Sequence, residues 1–178
     1  MDSINKNQPE DNHEDLQNTA AAQRIIDMVK QAKSCFFCTH NTLGPSMGVR
    51  PMSIQKTDED GTLWFLSAND SHKNAEIEED SSVKLYFQGS AHSDFLYLTG
   101  NASISEDPSL IHELWEPVLK TWFTEGENDP RISVIRVEPQ TGYYWDTKHG
   151  NAVAGVKMLW GALTGKTLDD SIEGKLDV

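Results

Sequence analysis

Apolar residues repeat at helical spacing near the start of the chain. Residues 20–33 carry one apolar stripe, which predicts an α-helix with Thr19 as its N-terminal cap. The stripe consists of Ile25, Met28, Val29 and Ala32. The preceding residues, 1–18, are polar and cannot bury enough apolar surface to offset the entropy cost of ordering. We therefore predict a disordered N-terminal tail there.

Short segments of β-type composition fill most of the remaining chain. Strands are predicted over residues 34–40, 47–55, 62–67, 82–88, 94–105, 132–137 and 142–146. Turn signals separate them, for example 41–45 and the Asp60-Gly61 pair. Short helices are predicted over residues 72–79, from Pro108 onward, and over 152–163. This set of some six strands with inserted helices predicts an α+β fold, a small antiparallel β-barrel with helices at its rim. The domain is expected over residues 19–165, with a polar tail over 166–178.

The chain is strongly acidic. It has 178 residues, enough for one domain with a real core, and a formal net charge of −13. An acidic surface repels nucleic acid backbones and anionic lipids, which argues against both as partners. No apolar run approaches the roughly 20 residues of a membrane span, and the N-terminus lacks an apolar signal core. We expect a soluble, cytoplasmic protein.

Cys35 and Cys38 have the C-x-x-C spacing found in redox and metal sites. The surrounding segment is predicted to be a buried strand, in which residues three apart point to opposite faces. A redox pair normally begins a helix, which stabilises its thiolate. A zinc site would need more ligands than Cys38 and His40 supply. We therefore interpret both as core cysteines, and no metal site is predicted.

Candidate binding residues cluster around the start of the helix predicted over 72–79. Ser71 is its predicted cap, and Lys73 lies in its first turn. The free N–H groups of a helix start favour an anion. Arg50, on a nearby strand, has the forked donors that suit a phosphate, and Ser67 and His72 offer further donors. The sequence thus predicts a phosphate site, with apolar residues beside it to cover a planar ring.

Each of these signals has an ordinary structural interpretation. A Ser-x-Lys at a helix start is commonly only a cap. Arg50 alone fits a surface ion pair of little energetic value. Trp64, Phe65 and Tyr86 alone fit a hydrophobic core. The order in which they occur together is what favours a binding site.

The same residues resemble the general stress protein 26 family, FMN-binding split-barrel proteins related to pyridoxamine 5′-phosphate oxidase. The resemblance covers roughly residues 20–165. It is carried by residues 50–52, 63–67, 71–77, 115–117, 122–126 and 144–146.

The resemblance implies a six-stranded antiparallel split barrel and a homodimer with FMN at the subunit interface. It implies that the phosphate is held by Arg50, Ser71 and Lys73, with Ser67 and His72 as further contacts. The flavin ring would lie against residues 50–53 and 65–67 and near Trp145 of the partner subunit. Together, the implied FMN-binding residues are Arg50, Pro51, Met52, Ser53, Phe65, Leu66, Ser67, Ser71, His72, Lys73 and Trp145. Trp122 and Phe123 would border the ring or belong to the interface.

The chain departs from the true oxidases at two places. His72 stands where those enzymes usually have an arginine. After Trp145, residues 146–150 lack the paired arginine and histidine that hold the pyridoxal substrate. Oxidation of vitamin B6 is therefore not expected, although the flavin site is.

Three functions remain open at this point. The first is an FMN-dependent oxidoreductase that passes electrons from a reduced nicotinamide or similar donor, with the flavin supplying the chemistry. The second is a flavin-binding stress protein, a carrier or sensor with little turnover. The third is an interaction module without a cofactor. No catalytic residue can be assigned, and the histidines at 40, 92, 112 and 149 are interpreted as surface or structural.

Overall fold

The computed structural model describes residues 12–40, 48–91, 93–147 and 171–178. Nine strands in these ranges are Leu16–Gln17 (β1), Ser34–Thr39 (β2), Val49–Ser53 (β3), Lys56–Thr57 (β4), Leu63–Ala68 (β5), Ser82–Gln88 (β6), Phe95–Ser105 (β7), Ile132–Thr147 (β8) and Ser171–Asp177 (β9). The helices are Asn18–Ala32 (α1), His72–Glu79 (α2) and Pro108–Leu114 (α3), with 3-10 turns at Pro117–Thr121 and Gly126–Asn128. The predicted turn at 41–45 and the helix at 152–163 lie outside the described residues.

All nine described strands join one mixed sheet, with seven of them in the order β1-β9-β8-β7-β6-β2-β3. The long strand β8 divides the architecture: its first half pairs with β5 and its second half with β9, while β7 runs along its other side. The predicted six-stranded antiparallel barrel is therefore too simple. The six strands β2, β3 and β5–β8 do pair antiparallel, but β1, β4 and β9 add to them, and β1 pairs with β9 in parallel.

The sequence predicts two strands, over 132–137 and 142–146, where the structure has the single strand β8. In the structure Pro139 lies opposite Gly100, where the register of β7 and β8 shifts. A bulge leaves one residue out of the hydrogen-bond ladder, so the missing N–H of proline is tolerated there. A β-carbon on Gly100 would come within 2.3 Å of the Glu138 carbonyl oxygen, so this close approach requires glycine. The strand continues through the irregularity.

Two apolar clusters cover the two sides of the sheet. The larger cluster joins α1 to the inner face of the strands and includes Ile25, Phe37, Phe65, Leu85 and Tyr144. The smaller lies between α3, the following 3-10 turn and the opposite face of β5 and β8, with Trp64 and Leu66 packed against it. Because side chains alternate along β5, Phe65 and Leu66 belong to different clusters.

Both segments predicted as tails contain ordered structure. β1 pairs with β9, and the Glu14 N–H donates to the Glu173 carbonyl at 2.9 Å. The Tyr144 hydroxyl donates to the Glu14 carbonyl at 2.8 Å. The tail predictions are wrong for residues 12–17 and 171–177, because pairing with each other and with β8 supplies contacts that neither segment has alone. Residues 1–11 lie outside the described ranges.

The helices agree in position with the prediction but differ in capping. α1 begins at Asn18, one residue before Thr19, and no side chain caps it. The cap predicted for Ser71 on α2 is confirmed, since its side chain accepts from the Asn74 N–H. None of the described helices is long and apolar enough to cross a bilayer.

Candidate anion site and aromatic sheet face

The first turn of α2 is fastened to the sheet by a buried hydrogen-bond network. The Ser67 hydroxyl donates to Asn74 Oδ1 at 2.9 Å and lies 3.3 Å from the Ser71 hydroxyl. Asn74 Nδ2 donates to the Ser133 hydroxyl at 2.7 Å, which donates in turn to the Ser67 carbonyl at 3.2 Å. This network fixes the start of α2 against β5 and β8. Ser67 therefore acts here as a buried anchor rather than as an exposed donor.

Arg50 reaches from β3 to α2. Its Nη2 pairs with Glu76 Oε2 at 2.8 Å, and its Nη1 donates to the Thr39 hydroxyl at 2.7 Å. The Thr39 hydroxyl donates to the same Glu76 oxygen at 2.5 Å. Arg50 is thus held by two elements, which restricts its guanidinium to one position.

Glu76 is fully buried, with no exposed side-chain surface. Burial alone would raise the pKa of Glu76, but the hydrogen bonds from Thr39 and Arg50 outweigh it and hold that pKa below its usual value. Its second oxygen, Oε1, has no hydrogen-bond partner among the described residues. The carboxylate is therefore ionised and only half satisfied.

Lys73 is the most unusual group in this cluster. Only 8% of its surface is exposed, and within the described ranges its ammonium makes no hydrogen bond or ion pair. Burial, with repulsion from Arg50 second, lowers the pKa of Lys73 to about 8, against an opposing attraction to Glu76. Two cations and one carboxylate leave a net positive charge beside a helix start. Such a place favours an anion.

The outer face of the sheet carries a row of aromatic side chains. Pairing across the strands aligns Pro51 with Phe36, Phe36 with Tyr86, Tyr86 with Tyr97, and Tyr97 with Tyr143. Phe36 is 58% exposed and Tyr86 46% exposed, which is unusual for large apolar side chains. We call this row, together with Phe95 and Trp145, the aromatic face.

The aromatic face forms an open pocket of about 810 Å³. Pro51, Phe36, Tyr86, Phe95, Tyr97 and Trp145 are among the residues that line it. Rings in this row pack on one another, with centroids 5.1 Å apart for Tyr86 and Tyr97 and 4.7 Å apart for Tyr143 and Trp145. Its size and apolar lining are typical of a small-molecule site.

The structure brings some of the predicted site residues together and separates others. Arg50 and Lys73 lie in one cluster, and Ser67 lies beside Ser71. Pro51 and Trp145 line the aromatic pocket on the other side of β3. His72 and Ser53 are exposed.

The remaining predicted residues are packing residues in this chain. Met52 packs against the larger cluster, while Phe65 is fully buried within it with its ring edge-on to Phe37 at 5.3 Å. Leu66 packs against the smaller cluster. Trp122 is 64% exposed and Phe123 is buried.

Sequence reasoning missed several residues of both features. Thr39, Asn74, Glu76 and Ser133 received no role, because their partners lie far away along the chain. The aromatic row left a visible signal, since Phe36, Tyr86 and Tyr97 occupy strand positions that alternation assigns to the outer face. That signal could have predicted a covered or ligand-binding sheet surface.

The prediction of two core cysteines holds for Cys35, which belongs to the larger cluster, but is wrong for Cys38, which is only partly buried. Cys35 is buried, as predicted, and burial raises its pKa to about 12. Burial also raises the pKa of Cys38, although Arg50 and Lys84 oppose the shift. Neither thiol is ionised near neutral pH, so neither has the reactivity of a redox pair.

A sequence profile described as pyridoxamine 5′-phosphate oxidase like matches residues 20–169. The chain therefore belongs to the pyridoxamine 5′-phosphate oxidase-like family. Among curated proteins it is similar to protein bli-3 of Neurospora crassa, with 28% identity over 156 residues, 81% of this chain and 75% of that protein.

Solved structures share the fold. A candidate general stress protein 26 from Jannaschia sp. CCS1 superposes with a TM-score of 0.70 at 22% identity, covering 90% of this chain and 99% of that one. The general stress FMN/FAD binding protein of Xanthomonas citri superposes with a TM-score of 0.57 at 21% identity, covering 67% of this chain and 82% of that one. The general stress protein 26 resemblance in the sequence is confirmed.

Proposed function

We propose that this protein binds FMN, with the phosphate between Lys73 and Arg50. The observation that carries the proposal is the buried ammonium of Lys73, which has no counter-ion among the described residues. Burying an unpaired charge costs roughly several kcal/mol unless a ligand supplies the opposite charge. A phosphate dianion supplies it.

The neighbouring residues suit the same group. The side chain of Ser71 and the free N–H groups of the first turn of α2 offer further donors to phosphate oxygens. Glu76 and Thr39 hold the Arg50 guanidinium in place, so little entropy is lost when it binds an anion. Family membership and the FMN/FAD binding protein of similar fold add support.

The flavin ring and the second subunit are part of the proposal. β3 lies at the end of the described strand order and presents Arg50 to the core side and Pro51 to the aromatic face. A ligand that contacts both Arg50 and Pro51 must therefore extend across β3 from one side to the other. We propose that a second copy packs on the aromatic face, covers Phe36 and Tyr86, and encloses the ring near Trp145.

The proposed activity is electron transfer. FMN, when bound, accepts and releases electrons, and the protein contributes binding, orientation and electrostatics. We propose a reduced nicotinamide or similar donor. Oxidation of pyridoxamine phosphate is not included, because residues 146–150 lack the paired arginine and histidine with which the oxidases hold that substrate.

FMN titration followed by fluorescence quenching tests the binding site. Lys73→Met should weaken binding roughly 10- to 150-fold, as expected for a charged hydrogen bond worth about 1.5–3 kcal/mol. Lys30→Met, at an exposed lysine of α1, is the matched control and should bind as the parent does. A parent protein that binds no FMN, or a Lys73→Met variant that binds it equally well, would refute the proposal.

A second candidate function is flavin binding without turnover, as a carrier or sensor. It is favoured by the similar fold of the Xanthomonas citri protein, which is known as an FMN/FAD binding protein and not by a reaction. Anaerobic addition of NADH or NADPH separates the two. Bleaching of the flavin absorbance supports the oxidoreductase, whereas flavin that stays oxidised with both donors supports the carrier.

A further inference from the structure

Lys73 is buried in a place that does not favour its proton. Its nearest charged neighbours are the Arg50 guanidinium, which repels it, and the Glu76 carboxylate, which attracts it. One Glu76 oxygen is already shared by Arg50 and Thr39, and the carboxylate forms no ion pair with Lys73. The ammonium therefore has little contact with solvent and no ion-pair partner within the described ranges.

The other elements around α2 add almost no charge. β5 and β7 contain no charged side chain, and β2 contributes only the thiols of Cys35 and Cys38, whose pKa values are raised. The charged residues of β8 are not among the groups that shift the pKa of Lys73. On α2 itself, His72 is exposed and acts on Glu76, and Glu78 and Glu79 are exposed. The protonation of Lys73 is thus governed by burial and by Arg50 and Glu76.

We infer that anion binding at this site is coupled to protonation of Lys73. The preference of the site for phosphorylated over unphosphorylated flavin therefore depends on pH. The inference rests on the proposed FMN site. The Lys73 amine takes a proton from solvent, the anion pairs with the ammonium that results, and both leave together. A ligand without a phosphate has no such coupling.

The size of the effect follows from linkage. With a pKa of about 8 in the free protein, Lys73 is mostly charged at pH 7 and mostly neutral at pH 9. If the bound anion keeps the lysine charged, the dissociation constant for FMN rises about tenfold between pH 7 and pH 9. A phosphomonoester has its second pKa near 6, so the charge of the ligand changes little in this range.

The experiment measures dissociation constants for FMN and riboflavin by fluorescence at pH 7, 8 and 9. Riboflavin carries the same ring without the phosphate, so the ratio of the two constants cancels effects on the ring. We expect the preference for FMN to fall about tenfold from pH 7 to pH 9. Calorimetry in buffers of different ionisation enthalpy should show proton uptake with FMN at pH 8.5 and none with riboflavin.

Lys73→Arg keeps the charge and removes the titration, so its preference for FMN should be constant over this range, provided that circular dichroism shows the native fold. A parent that binds FMN more tightly than riboflavin, with a preference that does not change with pH and without proton uptake, overturns the inference but leaves the proposed function standing. A parent that binds neither flavin at pH 7 refutes the proposed function itself.

Discussion

Arg50 on β3 and Glu76 on α2 form an ion pair at 2.8 Å whose carboxylate is fully enclosed by protein. The pair joins an edge strand to the helix that begins the candidate anion site. It also holds the guanidinium in place while leaving Lys73 without a partner among the described residues. The stability of the fold and the position of the Arg50 guanidinium in the anion site therefore depend on the same ion pair.

Glu76→Gln tests this contact. The substitution removes the buried carboxylate that pairs with the partly buried Arg50, and we expect a loss of about 3–5 kcal/mol in the free energy of unfolding at pH 7. Glu78→Gln, at an exposed position of the same helix, is the control and should change it by less than about 0.5 kcal/mol. Urea denaturation at pH 7 measures both, and equal stability of the two variants would contradict the assignment.

The same pair predicts how stability depends on acid. The pKa of Glu76 is lower in the folded protein than in the unfolded chain. Its contribution is therefore present above the unfolded pKa and is lost as the pH falls through the folded pKa. The parent should lose stability more steeply than Glu76→Gln in this acidic range. Parallel pH profiles of the two proteins would show that Glu76 is not the group responsible.

Asn74→Ala tests the network below the anion site. It removes both the acceptor for Ser67 and the donor to Ser133, so that two buried hydroxyls each lose a hydrogen bond. We expect a cost of about 1–3 kcal/mol together with weaker FMN binding, since the first turn of α2 loses its anchor. Asn69→Ala is the control for thermal unfolding and flavin titration, because the hydrogen bonds of the Asn69 side-chain amide are exposed. Unchanged values for Asn74→Ala would assign the network no role.

The carboxyl pair Asp94 and Asp146 predicts a second pH dependence, of opposite sign. Burial, together with a hydrogen bond that protonated Asp146 donates to Asp94, raises the pKa of Asp146, although Arg24 pairs with it at 2.6 Å. A raised acid pKa stabilises the fold at low pH, and this stability is lost as the pH rises through the folded pKa.

Asp94→Asn should therefore raise the melting temperature at pH 7 and flatten its decline with rising pH. Asparagine tolerates the left-handed backbone of this position, at φ 60°, so no strain is added. Asp27→Asn, at an exposed position of α1, is the control. A lower melting temperature for Asp94→Asn would mean that the carboxylate itself is needed.

The aromatic face predicts a change in oligomeric state. If a second copy covers it, Phe36→Glu places a charge in the interface and should shift the protein from dimer to monomer, with weaker FMN binding. Val118→Glu replaces another exposed apolar residue away from this face and should leave the dimer intact. Sedimentation velocity with saturating FMN distinguishes the outcomes, and a parent that sediments as a monomer would remove the shared-site proposal.

Local signals account for what the sequence predicted well. Ser71, as a helix cap, predicts the start of α2 to within one turn. The alternation of apolar and polar residues predicts the positions of β2, β5, β6 and β7. Long-range relations account for the rest. The role of Glu76 depends on Thr39 and Arg50, which lie 37 and 26 residues away. The continuity of β8 past Pro139 depends on the register shift between β7 and β8, which the pattern of one strand alone does not reveal.

β1 is only two residues long, yet it pairs with one edge of β9 and covers that edge. A protein expressed from residue 18 onward would expose that edge as a row of unsatisfied amides and carbonyls, the kind of edge on which strands of other molecules add. Trimming the polar beginning of the chain to aid crystallisation would thus invite fibrous or soluble aggregates, and an affinity tag is better separated from Asn12 by a spacer than fused directly to it.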